Sequence, residues 1–273
     1  MHRFFVDAGA VDAVRGIVSF GPEQVRQMSR VLRLRPDETV IAVVPAGPGE
    51  AGREFVARPD GTVVAERPGQ ALAPVAMTLF QGLPKGDKFE LILQKATERG
   101  ASAVVPVLTE RTVARPRPEQ VAGKLARWRA VAREAAEQCG RSDLPDVGAP
   151  VDWTAACAAA SAVDLALVPW ENETAGGLKD AVRSATDAAA AHRGAGAHGA
   201  AAAPAARLRV AVFIGPEGGL SSREVEEAQR SGVRPVGLGP RILRTETAAV
   251  AALTMVLYEL GDLGRPRSVD DER

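Results

Sequence analysis

The chain has 273 residues and a mass of 28.6 kDa, room for one large domain or two modest ones, each with its own core. It is 25 % charged, and no apolar run reaches the eighteen or so residues that cross a bilayer, which excludes a membrane-spanning helix. Basic and acidic side chains balance at 34 each, so total charge does not point to nucleic acid.

The distribution is less even than the total. Residues 85–141 hold 12 basic against 7 acidic side chains, whereas 142–273 hold 13 against 18. A GC-rich coding sequence explains the general wealth of arginine and alanine, and a local electropositive surface is compatible with zero net charge. The opening MHRFFVDAGA lacks the apolar stretch of a secretory signal. Cys139 and Cys157 cannot form a disulfide framework, and His2, His192 and His198 have no metal-ligand spacing. The expectation is a cytoplasmic protein without a metal.

The runs MHRFFV, TVIAVV (39–44), REFVAR (53–58) and TVVAE (62–66) predict short strands, with Asp60-Gly61 as a hairpin turn between the last two. After Pro22 a helix places Val25, Met28 and Leu32 on one face, and Arg26, Arg30 and Arg33 within about a 60° arc of another. That arginine face is either an ordinary solvated surface or an RNA contact. Together these elements predict a small barrel or sandwich. The stretch RPGQALAP (67–74) marks a domain boundary.

Beyond it strands and helices alternate: VAMTLFQ, a helix over 87–99, AVVPVL, a helix over 118–139, VDLALVP, VAVFIG, a helix over 221–231, and PVGLG. This order predicts a mostly parallel sheet covered by helices on both faces. The first helix shows an Asp87/Glu90 capping box, a core stripe of Phe89, Ile92, Leu93 and Ala96, and Gly100 as its stop. The second buries Val121, Leu125, Trp128, Ala132 and Ala135, and Cys139 continues that stripe as a buried thiol. Between Ala185 and Ala206, 13 of 22 residues are alanine, too few large side chains for a core, which predicts a mobile surface insertion. Residues 245–260 are apolar all round, which predicts burial against something large such as a second subunit.

Three segments carry candidate chemistry. In VAVFIGPEGGLSSREV (210–225) a strand runs into a glycine-rich turn, and Ser221 with Glu224 caps the helix that follows. Glycines let backbone amides approach a ligand, and a helix start supplies free N–H groups. The turn is neither a dinucleotide fingerprint nor a P-loop, and by itself it is either a structural turn or a ligand loop. A second Gly-Pro loop, PVGLGPRILRTETA (235–248), also ends a strand, and two such loops in one α/β sheet suggest a shared crevice. Third, REAAEQCGR (133–141) closes a helix, where Arg133 and Glu137 can pair at i,i+4 while Gln138 and Arg141 suit contact with a base or phosphate; charge complementation at the helix C-terminus also explains Arg141.

The segments KGDKFELILQKATERGA (85–101), TERT (109–112), EAAEQCGR (134–141), IGPEGGLS (214–221) and LGPRILRTETA (238–248) together resemble the RsmE family of 16S ribosomal RNA (uracil-N3) methyltransferases, within the SPOUT superfamily. MHRFFV and SRVLRLRPDE (29–38) resemble the PUA-like RNA-binding domain of that family. The likeness spans nearly the whole chain in order; the alanine-rich insertion and PWENET (169–174) depart from it.

The resemblance implies an α/β, trefoil-knotted parallel-sheet domain over 74–265, with the insertion at 185–206, preceded by a small PUA-like β-barrel over 1–70. It implies a homodimer that binds S-adenosyl-L-methionine and acts on 16S rRNA within the 30S subunit. The implied cofactor residues are Val168, Pro169, Gly215, Glu217, Gly218, Gly219, Leu238, Gly239, Ile242, Leu243, Arg244 and Thr245. RNA contacts are expected from Arg3, Arg26, Arg30, Arg33, Arg111, Gln138 and Arg141. Uracil N3 carries a proton at neutral pH and is a poor nucleophile until that proton leaves, so a carboxylate base or an anion-stabilising arginine is needed. Glu246, and Glu137 with Arg141, are the candidates, with helix N-terminal packing as the other reading of Glu246. Two alternatives stay open: methylation of tRNA or of a ribose 2′-oxygen, and a non-catalytic RNA-binding protein of ribosome assembly.

Overall fold

The computed structural model describes residues 1–46, 52–70, 72–194 and 207–263. The chain divides into two units, one built from Met1–Leu72 with Ala132–Leu144, the other beginning with Ala73–Val131 and resuming at Pro145. The break near 72 falls at the Pro- and Gly-containing stretch, but the helix over 118–139 is not the property of one unit. Its last two turns pack with the N-terminal residues.

In the first unit, β1 (Arg3–Phe5), β2 (Val11–Asp12), β3 (Ile17–Val18), α1 (Pro22–Arg26), β4 (Val40–Val44), β5 (Arg53–Ala57) and β6 (Val63–Pro68) follow one another. The main sheet has the order β1-β4-β5-β6, with β1 parallel to β4 and the other pairs antiparallel. Two-residue alternation divides its side chains: Phe5, Ile41 and Val43 meet Ala136, while Val6, Ala42, Phe55 and Ala57 form a separate cluster with Val18. The β5–β6 turn places Gly61 at φ +93°, and Thr62 N–H bonds to Asp60 Oδ1 at 2.9 Å. The expected apolar helix face is only partly realised. Met28 is buried, but Val25 is exposed and Leu32 half-buried, because the chain leaves α1 into a π-helical turn over Gln27–Val31 that breaks the 100° repeat. Arg33 follows with φ +51°.

The second unit contains β7 (Val75–Gly82), α2 (Lys88–Glu98), β8 (Ala103–Leu108), the start of α3 (Pro118–Cys139), β9 (Asp146–Val147), β10 (Val151–Asp152), α4 (Trp153–Ala159), β11 (Leu165–Pro169), α5 (Leu178–Gly194), β12 (Leu208–Ile214), α6 (Ser222–Arg230), β13 (Arg234–Val236) and α7 (Thr245–Glu259). All seven strands are parallel, in the order β10-β8-β7-β12-β11-β13 with β9 also on β8. Helices α2, α5 and α7 pack together, and α4 packs against α6 and β8. Phe80 and Phe213, paired in register on β7 and β12, stack at 4.5 Å, with Trp153 edge-on at 5.9 Å.

Several local expectations need correction. Asp87 makes no side-chain cap for α2, and both oxygens of Glu90 are taken by the Arg127 guanidinium, so neither half of the expected capping box forms, but the stripe of Phe89, Ile92, Leu93 and Ala96 is buried as expected. In α3, Trp128, Ala132 and Ala135 are buried, whereas Val121, Leu125 and Cys139 are only half-buried. Arg133 and Glu137 both turn to the backbone of Phe5, at 3.2 and 3.0 Å, instead of pairing through a hydrogen bond with each other. The alanine-rich stretch is helical as far as Gly194, since alanine has the highest helix propensity; its remainder, 195–206, lies outside the described residues.

Candidate active site

The site forms where β7, β12 and β11 end side by side, at the carboxyl edge of the parallel sheet. β12 runs into Gly215-Pro216-Glu217-Gly218-Gly219. Gly219 sits at φ +69°, and a Cβ on Gly82 would lie 2.6 Å from Pro216, so β7 and this loop touch backbone to backbone. The Ser221/Glu224 capping box is formed: Ser221 N–H donates to Glu224 Oε2 at 2.9 Å, and Glu224 N–H to Ser221 Oγ at 3.3 Å. The same pair braces the 109–112 loop, since Glu110 N–H donates to Glu224 Oε1 at 2.7 Å and Ser221 Oγ to Glu110 Oε2 at 2.9 Å. Arg111 is thereby placed over the glycine turn, where Nη1 donates to the Gly218 carbonyl at 2.8 Å.

Gln81, fully buried at the end of β7, ties the parts together. Its Nε2 donates to Thr245 Oγ1 and to the Gly82 carbonyl, each at 2.9 Å, and Thr245 Oγ1 donates to the Gly215 carbonyl at 2.6 Å. One residue thus fixes the strand end, the glycine loop and the start of α7.

These elements enclose a cavity of about 360 Å³. Pro169, Gly215, Glu217, Gly218, Gly219, Ile242, Leu243, Arg244 and Thr245 line it, so most of the expected cofactor residues come together. Leu238 and Gly239 line a smaller adjoining cavity of about 120 Å³, which shares Pro169, Glu171, Ile242, Leu243 and Ala248 with the first. Val168 is fully buried in β11 and supports Pro169 without lining either cavity. Sequence reasoning missed Lys88 and Glu171. Lys88 lies inside a quoted segment but opens a helix, where a lysine carries no pattern; Glu171 lies in the PWENET stretch set aside as a departure.

Charge in the cavity centres on Lys88. Its Nζ is 3.3 Å from Glu217 Oε1 and 3.6 Å from Glu246 Oε2. Burial alone would raise the Glu217 carboxyl, but backbone N–H groups, including that of Lys85, and the Lys88 ammonium prevail and hold it below its ordinary value. Glu246 Oε2 is buried and has no hydrogen-bond partner among the described residues. No set of three or more His, Cys, Asp or Glu among the described residues is arranged to hold a metal.

Other expected site residues lie in the first unit. Glu137 accepts the Phe5 N–H, and burial pushes its carboxyl above the usual range. Arg141 is buried and pairs with Asp143 at 2.6 Å, while Gln138 is exposed. Arg3 is mostly buried against Glu54, which also holds Arg67 and the Ser142 hydroxyl. Arg3 and Arg141 are therefore engaged by carboxylates, whereas Arg26, Arg30 and Arg33, the other arginines of this unit expected to contact RNA, are exposed.

Comparison with known proteins bears on all of this. A sequence model described as an RNA methyltransferase domain matches residues 71–257. The ribosomal RNA small subunit methyltransferase E of Bacillus subtilis is 34 % identical over 186 residues, 68 % of this chain and 67 % of that protein. The protein of the same name from Mycobacterium bovis is 32 % identical over 260 residues, 92 % of this chain and 87 % of its own. A crystal structure of the Neisseria gonorrhoeae ribosomal RNA small subunit methyltransferase E, bound to S-adenosyl methionine, has a TM-score of 0.71 at 26 % identity, covering 94 % of this chain and 97 % of that one. The chain belongs to the RNA methyltransferase family, among the ribosomal RNA small subunit methyltransferase E proteins.

Proposed function

We propose that this chain is an S-adenosylmethionine-dependent methyltransferase that modifies N3 of a uridine in 16S rRNA. The observation that carries the reading is the meeting of both glycine loops at one cavity of about 360 Å³, within the usual range for cofactor sites. The cavity fits the cofactor chemically. Its walls combine backbone amides with the apolar Ile242, Leu243 and Pro169, and Trp170 Nε1 beside the smaller cavity is a buried donor with no partner among the described residues. Residues 215–219 and 238–245 with Pro169 would hold it. When bound, S-adenosylmethionine supplies an electrophilic methyl group that leaves neutral thioether behind.

The protein's own task is to exclude water, align the acceptor nitrogen with that methyl group, and take the N3 proton. Glu246, which lines neither cavity but lies 3.6 Å from Lys88 in the cavity wall, is the carboxylate we assign to the last step. It does not cap α7, whose N-cap Arg244 makes no side-chain cap bond, so helix capping leaves it free for chemistry. Glu137 and Arg141 are engaged within the first unit and are the weaker candidates. The first unit, a PUA-like module in this reading, supplies RNA affinity through Arg26, Arg30 and Arg33. The second folds as a SPOUT-type knot and dimerises through α7, where Met255 and Tyr258 stay 37 % and 65 % exposed beside the buried Ala252, Leu253, Val256 and Leu257. The enzyme acts in the cytoplasm on assembled 30S particles. Calorimetry with S-adenosylmethionine, followed by methylation of 30S particles and of naked rRNA, tests this. Binding with a strong preference for particles is expected; absence of binding rejects the enzyme, and equal rates reject the particle as substrate.

A further inference from the structure

Lys88 is the one lysine or arginine within salt-bridge range of both Glu217 and Glu246 among the described residues. It is the first residue of α2, whereas Glu217 belongs to the loop after β12 and Glu246 to the first turn of α7. Three separate segments therefore bring one ammonium and two carboxylates together, Lys88 and Glu217 in the cavity wall and Glu246 beside it. The two carboxylates are not equivalent. Glu217 accepts the Lys85 N–H at 3.1 Å in addition to facing Lys88 at 3.3 Å, so its acceptor capacity is largely used. Glu246 Oε2 has no hydrogen-bond donor, and its distance of 3.6 Å from Lys88 Nζ gives charge contact without a hydrogen bond.

The geometry points to Lys88 as a positioning residue for proton transfer, tethered by Glu217 so that it holds the Glu246 carboxylate in place to accept the uridine N3 proton. This rests on the reading of the chain as an N3-uridine methyltransferase with Glu246 as base. The N3–H bond breaks, the proton passes to a Glu246 oxygen, and the electron pair stays on the ring nitrogen, which becomes the nucleophile. Lys88 Nζ, 3.6 Å from Glu246 Oε2, fixes where that oxygen lies. Once Glu246 is neutral, the Lys88 charge is no longer offset by it and opposes the negative charge left on the uracil ring.

The test is single-turnover methylation by the full-length protein, at saturating S-adenosylmethionine, of 30S particles carrying either uridine or 5-fluorouridine. Fluorine at C5 withdraws electrons and makes N3–H a stronger acid, so it relieves a defect in proton removal and leaves a defect in binding or folding unchanged. Lys88→Gln should slow uridine methylation by roughly tenfold to a hundredfold, the scale of acid–base assistance, and the gap should shrink to about threefold with 5-fluorouridine. Lys88→Arg, which keeps the charge, should stay within about threefold of wild type on both. Equal gaps on the two substrates, or a wild-type rate for Lys88→Gln, would overturn the proposal. Glu246→Gln separates the premise from the inference. Wild-type rates for that variant refute the base assignment itself, whereas an impaired Glu246→Gln beside an unimpaired Lys88→Gln refutes Lys88 alone.

Discussion

Gly82→Ala is the smallest change that should disable the cavity. The added Cβ would lie 2.6 Å from both Pro216 N and Cδ and 2.9 Å from the Gly215 carbonyl carbon, all in or bound to backbone. Ordinary contact begins near 3.4 Å, so the end of β7 and the glycine loop must separate by about 0.8 Å. Overpacking of this kind costs about 1–3 kcal/mol. If the loop yields, the cost falls on the bound state and S-adenosylmethionine affinity drops between about fivefold and a hundredfold, at 1.4 kcal/mol per factor of ten. If the strand yields instead, the cost appears as a fall in melting temperature of about 2–4 °C per kcal/mol. Titration calorimetry and a thermal melt on the same sample read both. Unchanged affinity together with an unchanged melt would refute the claim that this contact shapes the site.

Leu257→Glu should unfold the protein, because Leu257 is fully buried, whereas Met255→Glu should give a folded, inactive monomer; light scattering showing a dimer for Met255→Glu would remove α7 from the interface. Arg30→Ala with Arg33→Ala should weaken RNA binding and flatten its salt dependence without changing cofactor affinity, and an unaltered salt slope would make this a solvated surface. For Glu54, burial raises the carboxyl but the bonds from Ser142, Arg3 and Arg67 lower it further, so its net value lies below the ordinary 4.5. Its stabilisation is therefore present above about pH 4.5 and lost as pH falls through the lower folded value, and Glu54→Gln should cost about 3–5 kcal/mol at pH 7 and shrink with acidification. A denaturant titration showing the same deficit at pH 7 and pH 3 would contradict that. Cys157, pushed up to about 12 chiefly by burial, should resist alkylation at pH 8 while Cys139 reacts.

Local pattern carried much of this molecule. The longer strands of the parallel sheet, the Ser221/Glu224 cap and the two Gly-Pro loops follow from residue spacing, because each depends on neighbours within a few positions. What escaped was long-range. Nothing near Glu90 in sequence announces Arg127, and nothing near Phe5 announces Glu137 and Arg133. Gln81 was invisible for the same reason: its worth lies in reaching Thr245, 164 residues away. The strand order that sets β7 and β11 on either side of β12, and so assembles the cavity, is likewise not a periodicity. Short elements such as β2, β9 and β10 are two residues long and leave no pattern at all.

The most direct measurement is to incubate the protein with 30S particles and S-adenosylmethionine carrying an isotopically labelled methyl group, then locate the label by mass spectrometry of the digested RNA. The expected result is one labelled 3-methyluridine in 16S rRNA, absent without the protein and lost in Glu246→Gln. Label on a ribose 2′-oxygen, label only on added tRNA, or no label at all would contradict the assignment of this cavity to uridine N3 methylation.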